Sequence, residues 1–178
     1  MGIIGFLNAY AQEKSYQVYF NKLMKVLGTE YVIASIRNDY KVFKKSENYL
    51  VFINTQTTEK TRVDFPEDSN IREVQQIKID SLGINRILVA GKIFDLNMKN
   101  GIDWDDPIQI IILSTDGKEK IQLTDTNFFT RNWVVDEFTG SLVVTGYSDS
   151  NDNKRYDNRD KSEIRIYDLK TLQMKGKL

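Results

Sequence analysis

The chain has 178 residues, 40% of them apolar, and its 25 Lys plus Arg balance 25 Asp plus Glu. That length and apolar share suit one domain or one array of small repeats with a real core, and zero net charge supplies no field toward nucleic acid or an anionic membrane. Cysteine and histidine are absent, which excludes disulfides, thiol nucleophiles, Ser-His triads, thiolate zinc sites and the usual physiological base, leaving carboxylates, Lys, Tyr or a cation bound through oxygen.

At the N-terminus Ile3, Ile4, Phe6 and Leu7 form a short apolar run, followed by Ala9-Tyr10-Ala11 and Gln12. The small-x-small triplet has the form of a signal-peptidase site, although no positive charge stands before Lys14. Residues 1–12 therefore read either as the remnant of an export signal, which implies a periplasmic, cell-surface or secreted protein, or as a segment packed on the body at residues 13–178. No run reaches the roughly 20 apolar residues that span a bilayer as a helix.

Tyr16, Val18 and Phe20 alternate with polar neighbours in a strand-like way, with a short helix over 21–25 as the alternative. Leu27-Gly28-Thr29-Glu30 is a turn signal, and Tyr31-Val32-Ile33-Ala34-Ser35-Ile36 is a dense apolar strand behind it. The same sequence of events recurs twice: Ser81-Leu82-Gly83 before Ile87-Leu88-Val89-Ala90-Gly91, and Phe138-Thr139-Gly140 before Leu142-Val143-Val144-Thr145-Gly146. Each glycine supplies the positive φ that other residues resist, and the consecutive apolar positions predict strands buried on both faces. Trp133 leads into Val134-Val135 and reads as core, whereas Trp104 sits among Asp103, Asp105 and Asp106.

A second hairpin follows each of these. Its rising strands are Tyr49-Leu50-Val51-Phe52-Ile53, the run over 108–113, and Ile164-Arg165-Ile166-Tyr167, with Pro107 opening the second where a missing N–H is tolerated. The falling strands over 61–65, 120–123 and 173–178 are more polar and are expected at sheet edges. The result is three tandem four-stranded antiparallel meanders, at 16–66, 70–124 and 127–178, in an all-β fold. The alternative is a single β-sandwich or barrel.

The loop between the second and third strands differs among repeats. In the first, 37–48, it is basic. In the third, Asp149, Asn151, Asn153, Asp157 and Asp160 occupy positions 1, 3, 5, 9 and 12 of a calcium-loop pattern, all with oxygen donors, and Lys154 stands at the sixth place where glycine is favoured. In the second, Asp95, Asn97, Asp103 and Asp106 repeat the pattern 54 residues earlier, with Lys99 at the fifth place. These positions predict Ca²⁺ at Asp149–Asp160 and, with a poorer donor set, at Asp95–Asp106. The alternative is an Asx-rich loop whose carboxylates accept backbone N–H groups.

Repeated four-stranded units with apolar inner strands, closed by Ile164-Arg165-Ile166-Tyr167-Asp168-Leu169-Lys170-Thr171, resemble the blades of TolB-like and WD40-like bacterial β-propellers. The Trp-Asp and Gly-His signatures of eukaryotic WD repeats are absent, and the chain offers three blades where propellers use about 4–8. The resemblance implies a non-catalytic binding or scaffold module. The competing expectation is a carboxylate-based, glycosidase-like hydrolase, although no carboxylate pair is marked out by spacing. A three-bladed fan leaves two outward sheet faces, so the chain is expected to associate through them, with a second copy joining first repeat to third or with another protein.

Overall fold

The computed structural model describes residues 20–36, 48–99 and 101–178. The N-terminal segment 1–12 and the basic loop 37–47 lie outside the described residues. Twelve strands are described: β1 (Phe20–Lys25), β2 (Tyr31–Ile36), β3 (Asn48–Asn54), β4 (Lys60–Phe65), β5 (Asn70–Ile79), β6 (Ile84–Lys92), β7 (Gln109–Leu113), β8 (Lys120–Gln122), β9 (Phe128–Asp136), β10 (Ser141–Ser148), β11 (Lys161–Asp168) and β12 (Met174–Lys177). They form three separate four-stranded antiparallel sheets in the order β1-β2-β3-β4, β5-β6-β7-β8 and β9-β10-β11-β12. The fold is thus the expected run of three meanders, with no described strand shared between sheets as a single barrel would require.

The turn glycines take the predicted conformation. Gly28, Gly83 and Gly140 have φ of 77°, 65° and 66°, in the left-handed region that only glycine enters freely. Gly91 and Gly146 have a different duty. Each sits on the second strand of its sheet beside a bulge in the first, where an added Cβ would lie 2.6 Å from the Asn70 carbonyl oxygen and 2.5 Å from that of Phe129.

Side-chain alternation along the strands explains the stacking order. Odd positions of the second sheet, Ile87, Val89, Ile111 and Leu113, join Ile33, Leu50, Phe52, Val63 and Phe65 of the first sheet in one core. Even positions, Leu88, Ala90, Ile110 and Ile112, join Phe128, Leu142, Val144, Tyr167 and Leu169 in another. The second sheet is therefore the middle layer and is apolar on both faces, which is why β6 and β7 read as continuous hydrophobic runs. Trp133 packs against the second of these cores, as its place in the strand implies.

Two edge strands behave as expected, with β8 and β12 exposed along their length. β4 departs from this: Val63 and Phe65 are buried because alternate residues of that edge strand face the second sheet. β1 runs as a strand through Lys25; among its described side chains Met24 is the partly buried apolar contact with the core, while Leu23 is 70% exposed.

Candidate functional site

Two parts of the fold could carry function: the acidic crossing loops and the outward face of the third sheet.

The two loops are one device used twice. In the second repeat Leu96 N–H donates to Asp106 Oδ1 at 2.9 Å and Asp103 N–H to Asp106 Oδ2 at 2.8 Å. In the third, Ser150 N–H donates to Asp160 Oδ1 at 3.2 Å and Asp157 N–H to Asp160 Oδ2 at 2.9 Å. The same 54-residue offset relates Lys99 N–H on Asn97 to Asn153 N–H on Asn151, and Asp105 N–H on Asp103 to Arg159 N–H on Asp157. Even the strained backbone repeats, with Met98 at φ 56° and Asp152 at φ 53°. Asp106 and Asp160 are buried and close their loops from below.

What ties each loop to its sheet differs. Lys92, at the end of β6, is 7% exposed and donates from Nζ to the carbonyls of Asp103 and Trp104. Burial lowers its pKa, aided by nearby Arg72 and opposed by Asp106, Asp103 and Asp105. In the third repeat Tyr156 instead lies 4.8 Å from the Tyr147 ring and 6.1 Å from that of Phe129, with the Arg131 guanidinium 4.5 Å over it. Trp104 projects from its loop at 82% exposure.

Within the third loop, Asn151 and Asn153 both donate from Nδ2 to Asp157 Oδ2, at 3.2 and 2.6 Å. Asp149 accepts from the N–H groups of Asn153 and Lys154 at 3.2 and 2.9 Å, and Lys154 takes φ of 60° at the position where a calcium loop uses glycine. The Arg159 N–H, with Asn151 and Asn153, holds Asp157 below the usual carboxylate range against a smaller opposing effect of burial. All five predicted residues are thus joined through direct contacts, Asn151 and Asn153 by their side chains on Asp157, and Asp149 and Asp160 by accepting backbone N–H groups. Among the described residues no three acidic side chains converge on one point that could hold a metal ion. The second loop gathers less: Asp95 accepts from Met98 and Gly101 N–H at 2.6 and 3.1 Å, and Asn97 from Lys99.

The third sheet's outward face was not singled out residue by residue in the sequence. It consists of registered rows. Val134, Val143, Ile166 and Gly176 stand side by side across β9 to β12. On one side of that row lie Asn132, Thr145 and Ile164, with Leu178 paired to Ile164 through two backbone hydrogen bonds. On the other lie Asp136, Ser141 and Asp168, and Lys175 Nζ donates to Ser141 Oγ at 3.3 Å. Val134 is 61%, Ile164 38% and Leu178 80% exposed. A shallow depression of about 340 Å³ there is lined by Asp136, Thr139, Ser141, Val143, Ile166, Lys175 and Gly176.

The expectation of apolar surface at both ends is met unequally. On the outward side of the first sheet Ala34, Tyr49 and Val51 are 2%, 7% and 8% exposed, with the Arg62 guanidinium 3.7 Å from the Tyr49 ring centroid. No helix among the described residues is long and apolar enough to cross a membrane. The chain matches no family model, and no curated protein matches it.

Proposed function

We propose that the chain is a non-catalytic binding or scaffold module of propeller-like β-sheets that docks on a macromolecule through the outward face of its third sheet. The observation that carries this is the row Val134-Val143-Ile166. Val143 and Ile166 occupy the places that Leu88 and Ile112 hold in the second sheet and Ile33 and Phe52 in the first, by strand register, while Val134 extends the row where the second sheet has the exposed Gln75. Leu88, Ile112, Ile33 and Phe52 are 0–2% exposed, each under a neighbouring sheet. An apolar pair that is covered twice within the chain is only half-buried at its third occurrence, beside the exposed Val134, and apolar surface of this kind marks docking sites. Export with cleavage after Ala11 belongs to the same proposal and rests on the sequence.

Site-specific photo-crosslinking tests the docking face. With benzoylphenylalanine in place of Val134, a covalent product is expected in the cells that make the protein. With the probe at Lys118, on an exposed turn of the second sheet, none is expected. Equal yields from the two positions would overturn the proposal.

We propose further that the third acidic loop binds Ca²⁺ weakly, through Asp149, Asn151, Asn153, Asp157 and Asp160, which are joined in one contact network. Extracellular modules of this ligand type bind at roughly 10⁻⁴–10⁻³ M, so millimolar calcium is expected to raise the melting temperature by a few degrees over chelator. Asp149→Ala should abolish the rise. Identical melting curves for the parent chain in calcium and chelator would remove the proposal.

A further inference from the structure

We infer that the occupant of the third sheet's outward face is a second copy of this chain, packed on the same face about a two-fold axis. This rests on the docking reading above and names its partner. The axis runs along the strands between β10 and β11, so that β10 faces β11 of the partner and β9 faces the partner's β12.

Three features of the face favour this arrangement. The first is availability. The positions equivalent to Val143 and Ile166 receive a neighbouring sheet wherever they are covered in the chain, so the fitting shape is another twisted sheet packed nearly parallel to this one. The first sheet of a second copy offers little for a head-to-tail contact, because Ala34, Tyr49 and Val51 are already covered. The third sheet's own outward face is open.

The second is shape. The central row begins with the protruding Val134 and ends with Gly176, around which an added Cβ would meet nothing within 4 Å. A two-fold axis between Val143 and Ile166 sets Val134 of each copy over the gap at Gly176 of the other, and Val143 over Ile166. The same side chains form both halves of the interface, as an isologous contact requires.

The third is charge. Asp136 lies on β9 and Lys175 on β12 at the same end of the face. The axis that matches Val134 with Gly176 also brings Asp136 of one copy toward Lys175 of the other, twice, and sets Asp168 of the same row over Ser141 of the partner, so the Lys175 charge, which acts on Asp136 and Asp168 within one copy, is shared across the interface. A head-to-head contact of this kind also closes at two copies and does not propagate into fibres.

The area is modest. Four strands about 4.8 Å apart and eight residues long at about 3.3 Å each give a footprint on the order of 400 Å². Specific stable interfaces bury about 800 Å² per partner, so a weak dimer is expected, with a dissociation constant between about 1 μM and 1 mM.

Sedimentation equilibrium of the full chain from about 1 μM to 1 mM spans that range. The weight-average mass should climb from 20.7 kDa toward twice that value. Val134→Lys and Gly176→Glu, both at open positions, should each stay monomeric with melting temperatures near that of the parent chain. The double variant carrying both should dimerise again, because the new ammonium at position 134 of one copy then meets the new carboxylate at position 176 of the other; within one copy the two positions lie on opposite edges of the sheet. A parent chain that remains a monomer at about 1 mM, single variants that dimerise like the parent, or a folded double variant that stays monomeric would each overturn the inference. The docking reading has its own fate in the crosslinking experiment. A product from position 134 of a mass other than twice the chain keeps that reading and refutes self-association.

Discussion

Asp106→Ala is expected to lower the melting temperature by about 5–15 °C. The carboxylate is 4% exposed and accepts the N–H groups of Leu96 and Asp103 at 2.9 and 2.8 Å. Alanine leaves the buried Leu96 N–H and the part-buried Asp103 N–H without a partner, at roughly 1–3 kcal/mol for the buried group and less for the other. Asp106→Asn should fall between, since one oxygen remains for one N–H while the new amide nitrogen opposes the other. Asp160→Ala should follow the same course with a smaller loss, because Asp160 is 9% exposed and its contact from Ser150 is longer, at 3.2 Å. Asp105, an exposed acid in the same loop, serves as the control. If Asp106→Ala melts like Asp105→Ala, the buried acids do not hold the loops.

The same pair shows how far the sequence could be read. The 54-residue offset correctly marked the two loops as copies, and their hydrogen bonds repeat one by one. The division of labour within them was not legible. A carboxylate that coordinates a cation and one that clamps backbone N–H groups have the same letter and the same spacing, so the backbone hydrogen bonds of Asp106 and Asp160 are not visible in the sequence. Turn glycines were legible because their requirement is local: positive φ at Gly28, Gly83 and Gly140 follows from the residue type alone. Which sheet face is covered is not local. Leu88-Val89-Ala90 and Leu142-Val143-Val144 are equally apolar, yet both sides of β6 are buried while Val143 faces outward. The difference lies in how many sheets stack on each side, which strand periodicity does not encode. For β1 the signal was weak for a physical reason too, since Met24 is the one apolar side chain of Lys22 to Lys25 that meets the core.

Arg165→Leu is expected to cost about 2–3 kcal/mol, the range for hydrogen bonds to charged groups when the acids left behind stay partly in water. Among the described residues of β11, Arg165 is the buried cation, at 5% exposure, on the face that meets the second sheet. Its guanidinium lies 3.9 Å over the Phe128 ring and donates to Asp125 Oδ2 at 2.7 Å, Glu163 Oε2 at 3.1 Å and Ser148 Oγ at 3.1 Å. Asp125 belongs to the link between the second sheet and the third, so this side chain fastens one sheet to the next. Leucine keeps much of the packing but leaves Glu163, whose side chain is 15% exposed, with Ser148 and with Lys177 Nζ at 3.6 Å. Glu163→Gln added to Arg165→Leu should recover part of the loss by removing that charge. Protonation provides a second readout. Burial pushes the Glu163 carboxyl up, but the hydrogen bonds from Arg165 and Ser148 and the charges of Arg165 and Lys177 outweigh it, and its pKa is lowered. A carboxylate with a lowered folded pKa contributes stability that is present above the unfolded value, near 4.3 for Glu, and lost as pH falls through the folded one. Urea unfolding of the parent chain should therefore weaken below about pH 4.3, and Arg165→Leu should weaken less over the same interval because its Glu163 has lost the hydrogen bond and the charge of Arg165, keeping only those of Ser148 and Lys177. Equal slopes for the two proteins, together with no recovery in the double variant, would show that Arg165 acts through packing on Phe128 and not through Glu163.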